Sequence, residues 1–185
     1  MNKLQLIAAG LVLGASALAA QALEAEFSGV PPRAIAIGEI TIGDGLAAKA
    51  DEYGEQDVAQ LKDTLRADLE RELGRIGRLA ENGAAEAVLD VVLEDASPNR
   101  PTAKQQTASP QPLDSRSIFA GGARISAVLA GREGQALGRF AYAWQTSPDI
   151  RQSEYATTWT DARRTLQRFA SRLAEAIAVE GGGRG

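Results

Sequence analysis

Histidine and cysteine are both missing from this sequence of 185 residues, and the two absences remove the commonest routes to catalysis. With neither residue there is no Ser-His-Asp or Cys-His triad, no imidazole acid-base pair and no zinc site of the usual nitrogen and sulfur kind. An enzyme built on this chain would be left with carboxylates, a Ser-Lys pair or an oxygen-ligated metal. The lack of cysteine also excludes disulfide staples and lipidation at an N-terminal cysteine, so the fold has to rely on a packed core. Lysine is scarce, with Lys49, Lys62 and Lys104 the only ones after Lys3. Lys plus Arg number 20 against 24 Asp plus Glu, and without Lys3 the balance is 19 against 24. That surplus of acid argues against a nucleic-acid partner and leaves no polybasic patch for anionic lipid.

Met1-Asn2-Lys3 carries one positive side chain, and residues 6–20 form an uncharged run rich in Leu, Ile, Val, Ala and Gly that ends in small residues. This is the pattern of a secretory signal peptide, expected over residues 1–22. Ala20-Gln21-Ala22 offers small residues to a signal peptidase and places the mature start near Leu23, with Ala17-Leu18-Ala19 as a second cut. An apolar run of about 15 residues falls short of the roughly 20 that span a bilayer core, and no second run of that length follows. The expected address is the periplasm, without lipidation. What remains is enough for one domain with a real core.

Residues 23–33 read as an extended leader, because Val30-Pro31-Pro32 forbids helix. A first strand follows from Ala34, with Ile35 and Ile37 in one phase and Ile40 and Ile42 in the other, a slip that predicts a bulge at Gly38. Val58, Leu61, Leu65, Leu69, Leu73 and Ile76 recur at spacings of three and four, which predicts an amphipathic helix over residues 55–76 that ends at Gly77. A second strand covers residues 87–93, where Asp90 interrupts an apolar run and is read as facing outward. Residues 96–117 are rich in Pro, Ser and Gln and are expected to be a disordered loop that can be shortened with little loss of stability.

Residues 121–144 read as a β-hairpin around a Gly-bracketed turn, with Phe140, Tyr142 and Trp144 alternating onto one face. The face needs a cover, and Trp159, Ala162, Leu166, Phe169, Ala170, Leu173 and Ile177 supply one as the apolar stripe of a C-terminal helix. Thr158 and Asp161 have the spacing of a variant capping box at its start. The expected domain spans residues 34–179, with a flexible tail over residues 180–185. Its expected class is α/β, a two-layer α+β sandwich. A mixed four-stranded sheet in the order βαβββα, with an antiparallel hairpin for strands 3 and 4, carries two helices on one face.

Gly121-Gly122 opening a strand, a turn ending at Gly134 followed by Leu137, and a helix entered as Trp159-Thr160-Asp161-Ala162-Arg163 with Phe169 and Leu173 beyond it resemble the Gram-negative envelope family known as domain of unknown function 3313. The plan is also similar to the N-terminal domain of TolB and to LpoB-like outer-membrane lipoproteins. The resemblance implies an envelope protein and brings no catalytic residues with it.

Two functions compete. The first is a non-enzymatic periplasmic protein that binds an envelope partner, with Ile118, Phe119 and Arg139 as candidate binding residues and with no cofactor or metal expected. The second is a hydrolase of envelope glycans that uses Asp90 with Glu94 or Asp95, which requires two carboxylates about 5 to 10 Å apart in a cleft. Small-ligand carriage and an oxygen-ligated metal at Asp44, Asp51 and Glu52 are weaker readings, the three acids being widely spread.

Overall fold

In the computed structural model, residues 22–81, 83–108, 113–146 and 157–182 are described. The expected signal peptide falls outside them except for Ala22. The elements run β1 (Glu24–Phe27), β2 (Ile35–Ile42), α1 (Asp44–Ala47), α2 (Ala50–Tyr53), α3 (Glu55–Arg75), β3 (Ala87–Ser97), α4 (Ala103–Thr107), β4 (Gly122–Gly131), β5 (Ala136–Gln145) and α5 (Thr160–Gly182). One sheet holds the strands in the order β1-β5-β4-β3-β2, with β2 parallel to β3 and every other neighbour antiparallel.

The parallel pair and the hairpin match the sequence pattern, but among the described residues the sheet has five strands where four were expected, and the short helices α1, α2 and α4 join the two helices expected. The additional strand, β1, lies in the stretch read as a leader. Ala25 stands opposite Phe140 and Glu26 opposite Arg139, so the short strand extends the sheet at its β5 edge. Phe27 packs edge-on against Phe140, with ring centroids 5.3 Å apart.

Helices α3 and α5 touch each other, α3 lying on β2 and α5 on β4 and β5. The Leu stripe of α3 is buried from Val58 to Leu73, and so is the stripe of α5 from Ala162 to Ile177. Opposite them the sheet contributes Ile35, Leu89, Leu93, Ile125, Leu129, Phe140 and Tyr142. Each fully buried Leu or Ile contributes about 1.5 to 3 kcal/mol relative to exposure, so this single core dominates the stability. On the β5 side, Arg172 lies over the Tyr142 ring at 5.2 Å and Arg168 over Trp144 at 4.4 Å, closing the helix-sheet seam with cation-π contacts.

The register of β2 on β3 slips between Ile37 and Ile40, the bulge expected at Gly38. Glycine is required there, since a Cβ would collide with Asp90 and Val88. Gly134, at φ +80°, makes the hairpin turn. Gly77, at φ +66°, terminates α3, as the Arg78 N–H turns back to the Leu73 carbonyl at 2.9 Å.

The segment 96–117, of which residues 109–112 lie outside the described residues, departs most from expectation. The strand β3 continues to Ser97, and α4 starts at Thr102 with a full capping box in which the Thr102 side chain accepts from Gln105 N–H. Asn99, Thr102 and Gln105 are buried, so this part packs against the domain. At the other end, α5 reaches Gly182, three residues past the expected limit of 179.

Candidate functional site

The loop corner where β3 leaves the sheet and β4 enters it is organised by Asn99. Its backbone N–H donates to the Thr158 carbonyl at 2.7 Å, and its own carbonyl accepts from Phe119 N–H at 2.9 Å. Its side chain reaches the start of α5, where Oδ1 accepts from Asp161 N–H at 2.8 Å and Nδ2 donates to Asp161 Oδ2 at 2.5 Å. The Asp161 carboxylate also accepts from Thr146 Oγ1 at 2.6 Å and from Arg164 Nη1 at 3.1 Å. The expected box between Thr158 and Asp161 does not form, because Asn99 takes the Asp161 N–H that Thr158 would have capped. Gly121 is required beside this network, since a Cβ would strike the Asn99 amide, and Gly122 lies against the backbone of Trp144 and Gln145.

The consequence is a fixed display of Ile118 and Phe119. Ile118 is half-buried, while Phe119 remains 37% exposed although its backbone is tied to Asn99. Arg139, the third candidate residue, stands elsewhere. It is exposed near the middle of β5, six positions from Gln145, whose pairing with Gly122 marks the end nearest Phe119. At about 3.3 Å per residue the separation along the strand is about 20 Å, so the structure does not unite the three in one patch.

Arg139 belongs to the sheet face that no helix covers among the described residues. Across that face Asp90, Val128, Arg139 and Glu26 form one cross-strand row, and Val92, Ser126, Ala141 and Glu24 form the next. Val92, Val128 and Ala141 are half-buried, and Asp90 and Arg139 are exposed. Asp90 faces outward as expected, and its Oδ1 accepts from Glu39 N–H at 3.0 Å, which anchors the bulge of β2.

The carboxylates of the hydrolase reading are engaged separately. Glu94 accepts from Ser126 Oγ at 2.5 Å, and Asp95 binds Lys49 Nζ through both oxygens at 2.7 and 2.8 Å. Asp90 and Glu94 lie four positions apart on one strand, about 13 Å, beyond the separation that chemistry needs. Among the described residues no three acids come together as a metal site.

A second polar group lies where β3 meets α1, α2 and α4. The hydrogen bond from Lys49 to Asp95 holds the lysine ammonium above its ordinary pKa. Nearby, Tyr53 stacks edge-on with Trp159 at 5.6 Å, and burial pushes its phenol up. Gln105 Nε2 donates to Glu52 Oε1 at 2.6 Å, tying α4 to α2. Sequence patterns gave no sign of these links, since each joins residues remote in the chain.

Among the described residues no helix is long and apolar enough to cross a membrane. Matched against known protein families and curated proteins, the chain fits none, so the resemblance to family 3313 rests on its sequence features alone. Its fold is similar to that of a PelC dodecamer from Paraburkholderia phytofirmans, at 12% identity and a TM-score of 0.43 over 83% of this chain and 96% of that one. It is similar also to a minor lipoprotein from Acinetobacter baumannii, at 15% identity and a TM-score of 0.39 over 80% of this chain and 93% of that one. A DUF330 protein from Xanthomonas campestris gives 11% identity and a TM-score of 0.40 over 83% of this chain and 95% of that one.

Proposed function

We propose that the chain is a non-enzymatic exported protein of the periplasm that binds an envelope partner at the corner carrying Ile118 and Phe119. One observation carries the reading: Phe119 is held by its backbone to a buried, multiply bonded Asn99 while the residue stays 37% exposed. An aromatic ring on a fixed support loses little entropy on binding and suits a binding anchor. The separate engagement of Asp90, Glu94 and Asp95 weighs against the hydrolase. The export signal at residues 1–22 and the absence of cysteine support a periplasmic, unlipidated product. The crowding at Gly121 and Gly122 gives a physical reason for the paired glycines on which the resemblance to family 3313 partly rests.

The test is a photo-crosslinking residue at position 118 in the exported protein, with the adduct identified in envelope extracts. A discrete adduct that disappears with Phe119→Asp supports the reading. No adduct, or one indifferent to Phe119→Asp, overturns it. N-terminal sequencing of the same protein should begin near Leu23.

A further inference from the structure

At the centre of the uncovered sheet face one pair of opposite charges is complementary to itself. Asp90 on β3 and Arg139 on β5 flank Val128 of β4 in one row, each one strand spacing, about 4.8 Å, from it. We propose that a second copy of the chain packs its sheet on this face about a two-fold axis running along β4, so that Asp90 of each copy meets Arg139 of the other.

The pattern selects this orientation. An axis along β4 exchanges β3 with β5, which sets the acidic residue against the basic one twice. An axis across the strands would set Asp90 against Asp90 and Arg139 against Arg139. The same operation lays Val92 on Ala141, which flank Ser126 in the adjoining row. The β4 residues on the axis, Ser126, Val128 and Ala130, are small enough for two sheets to approach to the usual spacing of about 10 Å. Arg124 lies four positions from Val128, about 13 Å along β4; an axis that bisects sheets crossing at about 30° runs about 15° from β4 and sets Arg124 to one side of its twin. Glu24, Glu26 and Glu39 stand on the edge strands β1 and β2, which a twist of roughly 20° to 25° per strand turns away from the contact, and Glu94 is engaged by Ser126 Oγ of its own copy. The contact over β3, β4 and β5 spans about 14 by 20 Å, well below a standard interface, so the dimer is weak and depends on concentration. This interface is separate from the Phe119 corner, and the two proposals fail independently.

The experiment is sedimentation equilibrium on the purified protein. The wild type should dimerise with rising concentration and less so at high salt, and Phe119→Asp should leave this unchanged. Asp90→Lys and Arg139→Glu should each be monomeric, with a circular dichroism spectrum and cooperative melt that show a folded chain. An equimolar mixture of the two should regain a dimer with one copy of each, because the two substituted side chains then face one another and native Arg139 faces native Asp90. Asp90→Asn, which keeps an acceptor for Glu39 N–H, should weaken the dimer without altering the fold. A wild type that stays monomeric up to millimolar concentration overturns the proposal. So do single variants that still dimerise, or a mixture that stays monomeric.

Discussion

Asn99 and Asp161 stand 62 positions apart in the chain and hold each other by two hydrogen bonds, one to the backbone and one to the carboxylate. Both residues are buried, so neither bond is easily replaced by water. Asn99→Ala removes the cap of α5 and one of the donors to a buried carboxylate. Hydrogen bonds to charged groups contribute about 1.5 to 3 kcal/mol and orphaned buried groups cost about as much, so a loss of about 2 to 4 kcal/mol is expected in urea unfolding. Asp161→Ala should cost a similar amount. The double variant should fall short of the sum by about 1 to 2 kcal/mol, as contacting residues do.

Replacement of residues 96–115 by a short Gly-Ser linker gives a second test. Composition suggested that the segment could be removed at little cost, since closure entropy varies slowly with length. The segment, however, supplies Asn99, Thr102 and Gln105 to the interior and ties α4 to Glu52. Stability should fall by more than about 3 kcal/mol, given the bonds broken. Retention of wild-type stability would mean that the corner is dispensable to the fold.

The contrast shows what residue patterns carry. The crossover from β2 through α3 to β3 was legible because the stripe from Val58 to Leu73 repeats over several turns and the phase slip at Gly38 falls within a long strand. The strand β1 was not, because four residues with only Ala25 and Phe27 facing inward give too short an alternation beside Val30-Pro31-Pro32. Helix α4 has a local sign, the Thr102-Ala103-Lys104-Gln105 spacing of a capping box, obscured by polar neighbours and prolines. Asn99 had none. Its role exists only once Asp161, Thr158 and Phe119 have been brought to it. The candidate surface was legible in part: Arg139 one step from Phe140 had to leave the core, whereas its place in a row with Asp90 is a matter of register.

Alkaline pH should destabilise the protein through Tyr53 and Lys49. Asp95 raises the lysine by its hydrogen bond, and burial raises the phenol. For a group whose folded pKa lies above its unfolded value, the stability it confers is complete below the unfolded pKa and is lost as pH rises through the folded one. The window therefore opens near the unfolded values, about 10 for tyrosine and about 10.4 for lysine. Urea unfolding at increasing pH should show a decline beyond pH ~10 that is shallower in Tyr53→Phe, which keeps the ring against Trp159. Lys49→Met should likewise flatten the decline, with lower stability at neutral pH. Identical slopes in wild type and Tyr53→Phe would show that the phenol does not contribute.

Phe140 and Arg139 are consecutive on β5 and face opposite ways, which allows core and surface to be separated on one strand. Phe140 is buried between Ala25 and Ala127 on its neighbouring strands, with Phe27 edge-on beside it. Neither alanine can extend into the space a missing ring would leave, so Phe140→Ala should cost roughly 3 to 5 kcal/mol. Set against a total of about 5 to 15 kcal/mol for a domain, that is enough to bring the melt down sharply. Arg139→Ala removes an exposed side chain opposite Glu26 and should change monomer stability by less than about 0.5 kcal/mol. The comparison is made by urea unfolding at protein concentrations low enough to keep the chain monomeric. At higher concentration Arg139→Ala should lose the concentration dependence of the wild-type midpoint, because only the associated form draws on that charge. A Phe140→Ala variant of unchanged stability would place the aromatic ring outside the core and invert the assignment of the two sheet faces.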